Sequence, residues 1–269
     1  MPSIHPNSNK QDKSPDQTDN LRELYQPVYM VPPPTLDWPM PKLRLEVKEL
    51  AHEGSVLFFF KHVNPSDAMR DAVISVYDTL YTKQTCPRHV RSVTLYLENM
   101  NGVAYTKGSE LDDDHKEIHL SVRHVQNSKQ RARDEILGVL VHEMVHCFQY
   151  NARGSCPGGL IEGIAGVKLS VCGYEVRHQA DNDRADYVRL KAGLSPPHWR
   201  KGGNKWDEGY QTTGFFLEWI ESTYGHDFVR KLNGAMQDYK YDPSVFPRLT
   251  GESVDDLWKL YKTSSDSVR

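Results

Sequence analysis

No stretch of this chain approaches the roughly 18 consecutive apolar residues that a membrane-crossing helix needs, so no span through a bilayer is expected. The first twenty residues, MPSIHPNSNKQDKSPDQTDN, lack the apolar centre of a secretory leader. A cytoplasmic location is therefore favoured, with secretion left open if the start codon is misassigned. Cysteine is scarce: Cys86, Cys147, Cys156 and Cys172 follow no recognisable disulfide spacing, and without a leader they are expected as thiols. An excess of one charge is missing too. Lys and Arg number 33 against 36 Asp and Glu, a net charge of −3, and no basic stripe is interleaved with aromatics. Neither nucleic acid nor an anionic membrane surface is an expected partner.

What remains is the material of an ordinary globular domain, with 38% hydrophobic and 26% charged residues. The length suits one large domain with tails, able to bury a core without staples and expected as a monomer. Residues 1–40, polar and then proline-rich (VPPPTLDWPMP), read as a disordered or loosely attached arm. Residues 41–264 read as the domain, and 265–269 as a tail.

Within the domain, residues 43–50 alternate apolar and charged side chains, the half-buried strand pattern. Residues 65–82 place Met69, Ala72, Val73, Val76, Tyr77 and Leu80 on one helical face, with Ser66 or Asp67 as N-cap. Strands are expected at 90–100 and 116–125, and 101–108 carries turn signals at both ends. A long helix is expected at 130–152, and further helices at 206–225 (closed by Gly225), 226–239 and 253–264. The fold class is α+β, a small sheet followed by a helical second half.

HEMVH at 142–146 is the strongest chemical signal. Two histidines four apart lie on one helical face, so both imidazoles can reach one ion. Glu143 projects in a neighbouring direction, where a carboxylate can take a proton from an attacking water. Ile136, Leu137, Leu140, Met144 and Phe148 form the apolar stripe that would anchor this helix. A catalytic zinc site needs a third protein ligand and an open position. Glu162 stands sixteen residues after His146, past the turn in PGGLIEGIA, and opens what reads as a second helix. Tyr210 is a candidate for stabilising an oxyanion, weighed evenly against a rim tyrosine. His198 is read as structural.

HEMVHCFQYNARGSCPGGLIEGIA, DYVRLKAGLSPPHW and WDEGYQTTGFFLEWIE, in that order, together with the upstream NGVAYTKG and EIHLSV, resemble the basic secretory protein family of plants, also described as a peptidase family of plants and bacteria with fungal members. The resemblance covers roughly residues 43–262. It implies a gluzincin-like zinc metallopeptidase of zincin-like fold, acting on peptide or protein substrates. The small mixed sheet would place an edge strand over the HExxH helix, and residues 117–124 are the candidate for that strand. Zn2+ would be held by His142, His146 and Glu162, with Glu143 as base.

The resemblance breaks at one place. The family reads EGIAD followed without interruption by a VRL-type run, whereas here EGIA stops at Ala165 and DYVRL resumes at Asp186. In the family pattern the aspartate, one helical turn past the ligand glutamate, would orient a ligand histidine from behind. Position 166 is Gly, and Asp186 is the displaced equivalent. Residues 166–185 are either a surface insertion or a retained intron. The second is favoured, because the codons of Gly166–Val167 and Ala185–Asp186 permit splice borders that leave an in-frame join. Two rivals to an active peptidase follow: a catalytically impaired or non-enzymatic protein of the same fold that binds peptide or glycan in the cleft, and a structural zinc site, for which no fourth ligand is evident.

Overall fold

The computed structural model describes residues 38–58, 63–165 and 200–266. Residues 1–37 of the expected arm, the segment 166–185, Asp186, Cys172 and His198 lie outside the described residues, and Trp38, expected in the arm, is buried in the core.

Among the described residues, four strands form one mixed sheet in the order β1-β2-β4-β3. β1 (Lys42–Val47) and β2 (Ser92–Glu98) run parallel, β2 and β4 (His115–Ser121) run parallel, and β3 (Ala104–Gly108) runs antiparallel to β4. The period-two pattern sets the sheet's faces. Leu43, Leu45 and Val47 are half-buried, while Val93, Leu95, Leu97, Ile118 and Leu120 are fully buried. This is the α+β architecture expected. The segment 117–124 is not an edge strand, however. β4 is flanked by β2 and β3, and the edges are β1 and, beside β4, β3, which turn signals had obscured.

The parallel β1–β2 pair requires a crossover, supplied by α1 (Glu53–Leu57) and α2 (Pro65–Leu80). Met69, Ala72, Val73, Val76, Tyr77 and Leu80 are all buried, as the periodicity predicts. The N-cap is Asn64, not Ser66 or Asp67: its side chain accepts from both of their N–H groups while Pro65 occupies the first turn. After β4, Ser121 caps α3 (Val122–Asn127) through the His124 N–H, so the strand stops before 125.

The central helix is α4 (Ala132–Phe148). Ile136, Leu140, Met144 and Phe148 are buried as expected, but so are Val139, Val141 and Val145. The helix is covered on more than one side and forms a rigid axis. It ends at Phe148 because Gln149 turns extended. The second half continues with α5 (Gly158–Ala165), α6 (Tyr210–Tyr224), α7 (Phe228–Ala235), α8 (Val245–Thr250) and α9 (Val254–Asp266). Phe215, Phe216 and Ile220 of α6 are buried, and Gly225 ends it with φ 128°. Among the described residues no helix is long and apolar enough to cross a membrane, and Cys86, Cys147 and Cys156 are free thiols.

Candidate active site

α4 meets the edge of the sheet along one side and α5 along another. Where they converge lies a cleft of ≈ 620 Å³, lined by Val103, Ala104, Tyr105 and Thr106 of the sheet edge, Val139, His142, Glu143 and His146 of α4, Ile161 and Glu162 of α5, and Tyr210. Each element brings a different chemical contribution.

The four-residue spacing in α4 sets the two imidazoles one turn apart, with Nε2 atoms 3.1 Å from each other. Glu162 reaches them from α5, its Oε2 lying 3.2 Å from His142 Nε2 and 3.6 Å from His146 Nε2. The three donor atoms lie within 4.8 Å of one another, the one such group among the described residues. Burial alone would raise the Glu162 carboxyl. Hydrogen bonds and charge from His142 and His146 overcome that and hold it well below the usual carboxylate range. Two imidazole nitrogens plus one anionic oxygen, half-buried around a shared centre, are a donor set that suits a divalent zinc ion.

Glu162 reaches this point because α5 packs unusually close to α6. A Cβ on Gly159 would collide with the Asp207 carbonyl, and one on Gly163 with the Thr213 side chain. Thr213 Oγ1 also donates to the Trp206 carbonyl at 2.7 Å, which fixes the approach to α6. Tyr210, the first residue of α6, has φ 41°, a conformation rarely adopted by a bulky residue. Its ring centroid lies 6.2 Å from that of His142, nearly parallel, and the side chain is 55% exposed to the cleft mouth.

Glu143 is only 6% exposed, yet its carboxylate borders the cleft. Its Oε2 accepts a hydrogen bond from Thr106 Oγ1 at 2.7 Å. The same hydroxyl sits 3.0 Å from the Glu143 carbonyl. The edge strand is thereby tied directly to the carboxylate. Sequence reasoning missed Thr106, and the alternation in AYTKG was its only available signal. It also missed Gln149, whose amide stands 2.6 Å from His146 Nδ1. A separate recess of ≈ 530 Å³ carries Lys42, Arg44, Arg88, Arg91 and His115 but no metal-ligating set.

The five residues singled out from sequence, His142, Glu143, His146, Glu162 and Tyr210, thus line one cleft. No curated protein and no solved structure matches the chain. A family model described as peptidase of plants and bacteria, the basic secretory protein family, matches residues 40–261, which takes in the whole sheet, the cleft and all but the last turn of α9. On the extent of that match, the chain belongs to the peptidase family of plants and bacteria.

Proposed function

We propose that the protein is a zinc-dependent metallopeptidase of zincin-like design, with His142, His146 and Glu162 as ligands and Glu143 as general base. The observation that carries this reading is the convergence of two Nε2 atoms and one carboxylate oxygen beside a second, separately held carboxylate. Zinc held by His142, His146 and Glu162 would supply a Lewis acid able to polarise a carbonyl and acidify water. The rest falls to the chain. Among the described residues no strand pairs with the outer side of β3, so an extended peptide can add there as a further strand across the cleft. Glu143 accepts the proton of the attacking water and hands it to the leaving amine. Thr106 keeps that carboxylate turned toward the strand on which the peptide lies. Tyr210, at the mouth, donates a hydrogen bond from its hydroxyl to the oxygen that gains charge.

The test is zinc content with peptide hydrolysis. The wild type should hold about one zinc per chain and cleave a mixed peptide library, and His142→Ala or His146→Ala should lose tight binding. Glu143→Gln should keep the metal and lose turnover. Hydrolysis that survives thorough chelation, or zinc content unchanged in both histidine variants, would overturn the reading.

A further inference from the structure

Resting on that proposed zinc site, we infer that Gln149 is the positioning residue of His146, accepting its Nδ1 hydrogen so that the Nε2 lone pair faces the ion. The Gln149 amide lies 2.6 Å from His146 Nδ1. The end placed there is Nε2, and Oε1 is sealed from solvent with no hydrogen-bond partner. A half-turn of the amide exchanges oxygen and nitrogen within the same volume. One end lacks a partner among the described residues in either orientation, so that penalty cancels and the choice rests on the histidine.

With the amide nitrogen inward, Nδ1 must accept, the ring hydrogen sits on Nε2, and no lone pair is left for a metal. With the oxygen inward, Nδ1–H donates and Nε2 is bare. The neighbours select the second arrangement. Two Nε2 atoms 3.1 Å apart are compatible only if one carries a hydrogen and the other does not. His146 Nε2 faces the centre it shares with His142 Nε2 and Glu162 Oε2, the position from which it would bind the ion, and it can do so only without a hydrogen of its own. His146 Nε2 is then bare, and its own hydrogen points at Gln149.

The residue is also unusually well held for this task. Its backbone N–H donates to Val145 at 2.8 Å, closing α4. The residue before it has its carbonyl bound by the buried Tyr81 hydroxyl of the segment after α2. The residue after it donates its N–H to Asn233 Oδ1 of α7 at 3.0 Å, and Asn233 is fully buried. The chain is pinned on both sides of Gln149, which leaves its side chain few ways to leave the imidazole. Ordering a ligand histidine through its second nitrogen fixes the tautomer and raises ligand basicity.

The experiment compares wild type, Gln149→Met, which matches the shape with only a weak thioether acceptor, and Gln149→Glu, which keeps a strong acceptor. Imidazole nitrogen NMR of metal-free protein at about pH 8, where histidine is ordinarily neutral, reads the tautomer directly, with His146→Ala identifying the signal. The wild type and Gln149→Glu should show His146 protonated at Nδ1, and Gln149→Met should shift toward the Nε2–H form. Zinc affinity by chelator competition should fall roughly 10- to 100-fold in Gln149→Met and recover in Gln149→Glu, with similar melting of the metal-free forms. An Nε2–H tautomer in the wild type, or zinc affinity within about twofold of wild type in Gln149→Met, would overturn the inference. A wild type that takes up no zinc while His146 keeps the Nδ1 hydrogen would instead sink the proposed activity and leave the positioning role standing.

Discussion

Glu221 of α6 provides a perturbation whose size and sign follow from the structure. Its side chain is 6% exposed, and burial pushes the carboxyl from 4.5 up to about 7, despite a hydrogen bond from the Val229 N–H and the nearby Arg230 guanidinium. In the unfolded chain the group titrates near its ordinary value. Between about pH 4.5 and pH 7 the folded state therefore holds more proton than the unfolded one, and stability falls as pH rises through that window. Below it the penalty is absent; above it the penalty is complete. At about 1.36 kcal/mol per pH unit, the full penalty is about 3 kcal/mol. Glu221→Gln removes the charge while its amide oxygen can still accept from Val229. The variant should thus match the wild type at about pH 4 and exceed it by roughly 1–3 kcal/mol at about pH 8. Urea midpoints for both proteins at the two pH values measure this. A difference that does not change with pH, or a variant weaker at pH 8, would refute the assignment of burial as the dominant effect.

Three substitutions probe the cleft more directly. Gly163→Ala forces a methyl against Thr213 and should lower stability by about 1–3 kcal/mol while also weakening zinc binding, read by urea melts and chelator competition; an unaffected variant would mean that α5 and α6 have room to spare. Thr106→Val keeps the side chain's size but deletes the donor to Glu143. Since hydrogen bonds to charged groups are worth about 1.5–3 kcal/mol, kcat/KM should drop by roughly 10- to 100-fold at unchanged zinc stoichiometry, and wild-type kinetics would remove Thr106 from the base's support. Tyr210→Phe should lower kcat by roughly 10- to 1000-fold with little change in KM; full-rate turnover would leave Tyr210 as a rim residue.

Local periodicity made much of this legible before any coordinates. The stripe Ile136, Leu140, Met144 and Phe148 and the pair His142 and His146 both follow from residues one turn apart, and a helix enforces such neighbours unaided. The features that escaped depend on distant partners. AYTKG is short and ends in Gly108, so its strand state comes from pairing with β4, and that pairing also moves the edge from residues 117–124 to Ala104–Gly108. The helix expected to run to 152 stops at Phe148 because Tyr81 and Asn233, 67 and 83 residues away from the atoms they bind, hold the next residues extended. Asn64 was overlooked as a cap although Pro65 behind it marks a helix start. Glu162 was found by its distance from His146 in the chain, but its approach to the imidazoles depends on Gly159 and Gly163 meeting Asp207 and Thr213, a fit that no local pattern encodes.

Because that fit joins two helices far apart in sequence, the proposed third ligand, Glu162, is on loan from the packing of α5 against α6. The other two proposed ligands, His142 and His146, and the proposed base, Glu143, come as a unit within five residues of one helix. Glu162 arrives only when the second half of the domain has docked. On the proposed zinc site, the zinc content of a purified batch should therefore report folding as well as metal binding. Substitutions along the α5–α6 seam that never touch the cleft should register first as under-loaded protein, and adding excess zinc should pull such molecules back toward the docked form.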